Sequence, residues 1–248
     1  MTTFIHFLKR EFLSGSCYLC HSKADLELSL CEFCIQKLSL NQYHCVRCAN
    51  PLQHHPTITT ENSFDKPNYA PQLCGKCLNQ NYYFDQVQSP FLYAGHLIKL
   101  LHGFKYRQKL FLGRSLSQLF IRNTPLLSTE LPIQADIIVP IPLYKDRIRQ
   151  RGFNQALELA NFFSRQTTIN IDHTVLKRIK PTMSQRGLSA KERKQNIKNA
   201  FAIKSDLSYK HIILVDDVMT TGNTVNEAAK VLKKAGVQRV DVWTIARA

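Results

Sequence analysis

The chain holds no apolar run near the roughly 18 residues that a spanning helix requires, so no membrane span is expected. Neither G-x-x-x-x-G-K nor G-x-G-x-x-G occurs, which removes the Walker and dinucleotide phosphate motifs. Met1 to Gly15 includes Lys9, Arg10 and Glu11 and lacks an uninterrupted apolar core, so it does not read as a secretory signal. Cysteine is missing from everything after Cys77. Net charge is missing from residues 1 to 85, which carry seven Lys/Arg and seven Asp/Glu. The remaining 26 basic and 11 acidic residues lie in 86 to 248, so that part holds the whole formal charge of +15.

The eight cysteines form four C-x-x-C pairs, Cys17/Cys20, Cys31/Cys34, Cys45/Cys48 and Cys74/Cys77. Each pair fits a knuckle that gives two thiolates to one metal, and two knuckles close a tetrahedral zinc site. Two structural Zn²⁺ ions are therefore expected. Disulfides are the alternative, but cysteines three apart cannot staple distant segments, and a reducing cytosol fits the missing signal. A single redox C-x-x-C explains one pair and not four within 61 residues. Sequential pairing, Cys17, Cys20, Cys31 and Cys34 against Cys45, Cys48, Cys74 and Cys77, gives one compact ribbon and one around a long loop. Interleaved ribbons would use the same residue types. His21, His44, His54 and His55 stand near the knuckles, but eight thiolates already fill two shells, so they read as solvated loop residues.

The run Ile212 to Thr224, I-I-L-V-D-D-V-M-T-T-G-N-T, joins a strand to an acidic pair and a small hydroxyl-rich loop. Ile212 to Val215 have the β-branched content of a parallel strand buried on both faces. Asp216 and Asp217 follow at its carboxyl end, where open α/β sheets bind ligands. Thr220, Thr221, Gly222, Asn223 and Thr224 then precede a predicted helix, Val225 to Ala235, whose N-terminus favours an anion. Two carboxylates suit the vicinal hydroxyls of a ribose and help to hold Mg²⁺, and the loop suits its 5-phosphate. The order resembles the fingerprint of type I phosphoribosyltransferases, which bind phosphoribosyl pyrophosphate (PRPP) with Mg²⁺. An ordinary strand-turn-helix with Asp216 as a cap is the plainer alternative.

A zinc module over residues 1 to 85 and an α/β domain over 86 to 248 follow from this division. Residues 51 to 72 hold four prolines and read as a loop. Val87 to Tyr93 reads as a strand, Leu97 to Phe104 and Leu110 to Arg122 as helices, and Ile137 to Ile141 as a buried strand. Asn154 caps a helix to Arg165, Thr174 to Leu176 belong to a short strand, and Ser189 with Glu192 forms a capping box opening Ala190 to Ile197. Gly236 reads as a C′ residue before a last strand, Val240 to Ala246. Strands alternating with helices imply a parallel sheet.

Lys145 to Lys194 is the most basic stretch, with twelve basic and four acidic residues. Such a field attracts a polyanion: PRPP, single-stranded nucleic acid or both. A solvated basic face is the plainer reading. Within it, P-x-P-x-x-x-x-R-x-x-x-R-G-F-N-Q runs from Pro140 to Gln155. With the four knuckles, Lys105-Tyr106, Arg178, Gln185, Leu188, Arg193, Asn196 and Phe201, it resembles the ComF (ComFC/GntX-like) family across nearly the whole chain. That resemblance implies a double zinc ribbon fused to a type I phosphoribosyltransferase-like parallel sheet flanked by helices. It implies a cytoplasmic role in natural transformation at or near the inner membrane face, with incoming single-stranded DNA and uptake proteins as partners. By resemblance, the loop after the first core strand, with Lys145, Arg147, Arg149 and Arg151, contacts pyrophosphate or nucleic-acid phosphate, and residues 178 to 190 form a loop that closes over the site. Gly152 as a helix C-cap is the alternative for that segment. Among the aromatics there, Tyr106 and Tyr144 are candidates to stack on bases, and Phe153 reads as core. No general base is legible. A catalytically active phosphoribosyltransferase in nucleotide metabolism is the second function reading.

Overall fold

The computed structural model describes residues 15–53, 72–106, 109–124, 134–181, 195–203 and 207–248. The cysteine-rich part holds an antiparallel pair, β1 (Gly15–Ser16) and β2 (Lys23–Ala24), and two five-residue helices, α1 (Glu32–Gln36) and α2 (Gly75–Asn79). The rest supplies β3 (Gln86–Gln88), β4 (Phe91–Leu92), α3 (Gly95–Tyr106), α4 (Leu110–Arg122), β5 (Ile137–Pro140), α5 (Lys145–Arg151) and α6 (Gln155–Thr167). An antiparallel pair, β6 (Leu176–Arg178) and β7 (Phe201–Ile203), stands apart from the main sheet. The chain ends with β8 (His211–Met219), α7 (Asn223–Lys234) and β9 (Arg239–Arg247).

The main sheet is parallel throughout: β3 and β4 lie end to end along β9, β9 pairs with β8, and β8 with β5. Alternation along β8 builds two cores. Ile212 and Leu214 face α7 and the four cysteines Cys45, Cys48, Cys74 and Cys77. Ile213 and Val215 face residues of α3, α4 and α6 together with Cys17 and Cys34. The cysteine-rich part thus contributes to both cores, one on each face of the sheet.

Four expectations shift. The strand from Val87 to Tyr93 breaks at Ser89-Pro90, where Asn41 takes over the chain: its side chain donates to Ser89 O (3.1 Å) and its N–H to Pro90 O (2.8 Å). The segment after β5 is not a loop throughout; Lys145 to Arg151 form a helix that ends on Gly152, whose φ of +78° is the left-handed C-cap conformation. The strand near Thr174 starts later, at Leu176, because the Asp172 carboxylate accepts from Thr174 N–H (2.8 Å) in a turn. Strand β8 runs past the acidic pair to Met219, with Asp216 still in register opposite Thr244. Asn154 caps α6 as expected, accepting from Ala156 N–H at 3.1 Å. The capping box at Ser189, most of the proline-rich loop, His54, His55, Gln185, Leu188 and Arg193 lie outside the described residues.

Candidate functional site

Because the core strands are parallel, their carboxyl ends share one edge, and a cleft of about 340 Å³ opens there. Asp216, Asp217, Thr220, Thr221, Gly222, Asn223 and Thr224 all line it, the last five at the start of the twelve-residue helix α7. Gly222 caps that helix at φ +79°, and a Cβ on it would lie 2.6 Å from Met219 Cε, so the turn needs a glycine. Of the four predicted cations, Arg147 and Arg151 line the cleft, whereas Lys145 and Arg149 are not among the lining residues. Arg149 is 82% exposed and lies 3.9 Å from Asp146.

Sequence reading did not assign several residues that the fold brings in. Lys105, from the last turn of α3, forms a 2.9 Å ion pair with Asp217. Burial works against its ammonium, but the Asp217 carboxylate outweighs that and raises its pKa. Burial, then the neighbouring Asp217, pushes the Asp216 carboxyl up to about 7. Arg178 enters from β6, with burial drawing its pKa down to about 10 against the pull of Asp216. Tyr93 and His102 join Tyr106, one of the two expected stacking residues, in an aromatic wall; the His102 and Tyr106 rings are 4.9 Å apart, Arg151 lies over Tyr106 at 5.5 Å, and Tyr144 is not among the lining residues. Phe153 turns away and packs on Phe104 at 5.6 Å. The one legible signal for Lys105 and Arg178 was their place in the family pattern. Local sequence offers none, since the pairing of Lys105 with Asp217 spans more than a hundred residues.

The cysteines gather as two tetrads, Cys17, Cys20, Cys31, Cys34 and Cys45, Cys48, Cys74, Cys77, with all sulfurs of a set within 4.8 Å of one another. No histidine joins either set among the described residues; His44 Nδ1 instead faces Asn41 O at 2.6 Å. Cys20 and Cys31 sulfurs lie 3.5 Å apart, and Cys48 and Cys74 sulfurs 3.6 Å. A tetrahedral zinc with Zn–S of about 2.3 Å sets S···S near 3.8 Å, whereas a disulfide needs about 2.05 Å. The tetrads therefore fit structural zinc in the sequential pairing. Burial disfavours the Cys45 thiolate, but N–H groups of Cys48, Cys74 and Arg47 outweigh it and bring the thiol down to about 7.

The second tetrad is tied to the phosphate-sized loop. Arg247, only 4% exposed, donates from Nε to Cys48 O (3.2 Å), from Nη2 to Asn50 Oδ1 (3.2 Å), and from Nη1 to Met219 O (2.9 Å) and Thr220 O. Tyr83 N–H donates to Asn226 Oδ1 of α7 at 2.7 Å. On the other face, Tyr18 packs against Gly103 of α3, where an added Cβ would lie 2.4 Å from its hydroxyl.

Residues 154–248 match the model of the phosphoribosyl transferase domain family. Over the whole length the chain is 35% identical to competence protein F of Haemophilus influenzae, covering 96% of this chain and 99% of that one. It is 32% identical to the DNA utilization protein YhgH of Escherichia coli, over 94% and 97% of the two chains. Competence protein ComFC of Streptococcus pneumoniae is 35% identical over 44% of this chain and 47% of that one. Among the described residues no helix is long and apolar enough to cross a membrane. A double cysteine tetrad, a parallel α/β sheet with the phosphoribosyl transferase signature, and full-length similarity at this level place the chain in the competence protein F (ComF) family.

Proposed function

We propose that this protein binds PRPP in the cleft and serves DNA uptake in natural transformation, acting on or near incoming single-stranded DNA. The observation that carries the reading is one cleft presenting an acidic pair, the Thr220–Thr224 turn at a helix N-terminus and four cations, Lys105, Arg147, Arg151 and Arg178. Asp216 and Asp217 would accept from the ribose hydroxyls, the turn would hold the 5-phosphate, and the arginines would meet the pyrophosphate. Mg²⁺ needs about six oxygens and the cleft offers two carboxylates, one already paired with Lys105, so the ion fits as one that arrives on the pyrophosphate. When bound it would neutralise pyrophosphate charge.

The names of the relatives, competence and DNA utilization, support the cellular role. In this reading residues 1 to 85 are the zinc module and 86 to 248 the phosphoribosyl domain, whose net charge draws a polyanion. Lys145 and Arg149, outside the cleft lining, are the cations left for nucleic acid and for uptake proteins, at the cytoplasmic face of the membrane. Calorimetry with PRPP and Mg²⁺ tests the central claim. Replacing Asp216→Asn and Asp217→Asn together should remove measurable binding, and equal affinity in the folded double variant would overturn it. Single-stranded DNA should bind with a steep salt dependence, which Lys145→Ala with Arg149→Ala flattens.

A second reading is favoured by Asp216, whose pKa near 7 suits general acid–base work. On that reading the protein transfers phosphoribose to an acceptor in nucleotide metabolism. Pyrophosphate release from PRPP that depends on an added base or amine, and is lost in Asp216→Asn, would select it.

A further inference from the structure

We infer that Lys105 is the resident counter-ion of the acidic pair, keeping it a reader of the ribose diol and not a divalent-metal site. The inference rests on the PRPP reading for its ligand, but its geometry stands by itself. Two adjacent carboxylates in a partly enclosed cleft are an obvious metal trap, because like charges at that spacing seek a compensating cation. Here the cation is built in. Lys105 Nζ lies 2.9 Å from Asp217 Oδ2, and the two side chains keep only 17% and 12% of their surface exposed. The lysine arrives from α3, outside the strand-and-loop fingerprint, so the pairing is a tertiary contact and not part of the local motif.

Two consequences follow. With the ammonium on Asp217 Oδ2 and Asp216 Oδ1 accepting from the Asp217 N–H (2.8 Å), Asp217 Oδ1 and Asp216 Oδ2 stay as hydrogen-bond acceptors, one for each of two vicinal hydroxyls. It also fixes a positive charge near the diol, and a polyphosphate ligand gains from that without a second metal ion. A divalent ion at the pair would have to displace a nearly buried ammonium.

The test uses Mn²⁺ alone, followed by electron paramagnetic resonance, on the full chain without PRPP. Wild type should leave Mn²⁺ free at the acidic pair. Lys105→Gln should create a Mn²⁺ site that Lys105→Gln with Asp217→Asn abolishes, and Lys105→Arg should behave as wild type. In parallel, PRPP affinity should fall roughly 10- to 100-fold in Lys105→Gln and far less in Lys105→Arg. Circular dichroism identifies folded variants. Mn²⁺ binding that is equal in wild type and Lys105→Gln would overturn the inference, as would unchanged PRPP affinity in folded Lys105→Gln. If no variant or wild type binds PRPP, the PRPP reading fails, while the Mn²⁺ arm still decides the role of Lys105.

Discussion

The two cysteine tetrads are built alike and used differently. In each, the first knuckle closes on a left-handed residue directly after its second cysteine, His21 at φ +63° and Ala49 at φ +51°, whose N–H donates back to the first cysteine carbonyl at 2.9 Å. In each, the second knuckle starts a five-residue helix, with Cys31 and Cys74 as the N-cap residues. Yet Cys20 is exposed and Cys31 half-buried in the first set, while all four of the second are buried. The first ribbon lies behind α3, which carries Lys105; the second lies behind the turn at Thr220 and is fastened to it by Arg247. Two like sets of four thiols therefore stand behind two walls of one cleft, one set partly exposed and the other buried. The ligand spacing sets the metal, and the surroundings set what the metal supports.

The sharpest way to break this comparison is Cys48→Ser. A structural zinc contributes on the order of 10–16 kcal/mol, comparable with the ~5–15 kcal/mol net stability of a whole domain. This tetrad sits inside a main core. Zinc content should drop from about two ions per chain to one, with loss of a cooperative thermal transition by circular dichroism. A folded one-zinc protein with unchanged melting would deny the second ribbon its place in the core.

Arg247→Met should cost about 3 kcal/mol or more, since buried carbonyls of Cys48, Met219 and Thr220 lose donors at roughly 1–3 kcal/mol each. Urea denaturation would measure that loss. Calorimetry should show weaker PRPP binding with both zincs retained, separating the fastening from the metal.

Cys20→Ser should be milder. The first zinc should be lost from elemental analysis, and melting should fall by less than in Cys48→Ser, because Cys20 is exposed and Cys31 half-buried even though Cys17 and Cys34 lie in the other core. PRPP affinity should fall less than in Arg247→Met. The reverse order would show that the half-exposed ribbon is the one that governs the cleft.

Asp216→Asn calibrates the cleft that both ribbons support. The Asp216 carboxyl is raised to about 7 by burial and Asp217, against about 4 when unfolded. Between those values the folded state holds a proton that the unfolded state has released, so stability falls as pH rises from about 4 to about 7. Above that window the penalty is constant. The amide variant should lose this slope and be more stable than wild type at pH 8 by up to about 4 kcal/mol, the value of about three pKa units, read from denaturant midpoints. An unchanged slope would mean that Asp216 titrates normally.

The parts legible in the sequence were those written in neighbouring residues. The C-x-x-C spacing marked the cysteines that gather as two tetrads, and the run from Ile212 to Thr224 gave the strand, the acids and the turn in order. Asn154 was legible as a cap because its acceptor serves Ala156, two residues on. Lys145 to Arg151 misled because six polar residues around a lone, partly exposed Ile148, with no buried side chain, carry no apolar face to mark a helix. The break at Pro90 was hidden for a different reason: Asn41, which replaces the ladder there, comes from between the second and third knuckles, 48 residues before Ser89.

What the sequence alone determined is therefore the chemistry of each piece: eight thiolates, two adjacent carboxylates, a glycine turn ahead of a helix, and all of the excess charge in residues 86 to 248. Local geometry follows from contacts a few residues apart, and residue spacing encodes those. Tertiary structure alone decided that Lys105 closes on Asp217, that Arg147 and Arg151 enter the cleft while Lys145 and Arg149 stay outside its lining, and that Arg247 joins a zinc ribbon to the phosphate turn. Those contacts link segments far apart in the chain. They form only when burial of the two apolar faces of the sheet brings the segments together, a driving force that is non-directional and leaves no local mark on the residues it unites.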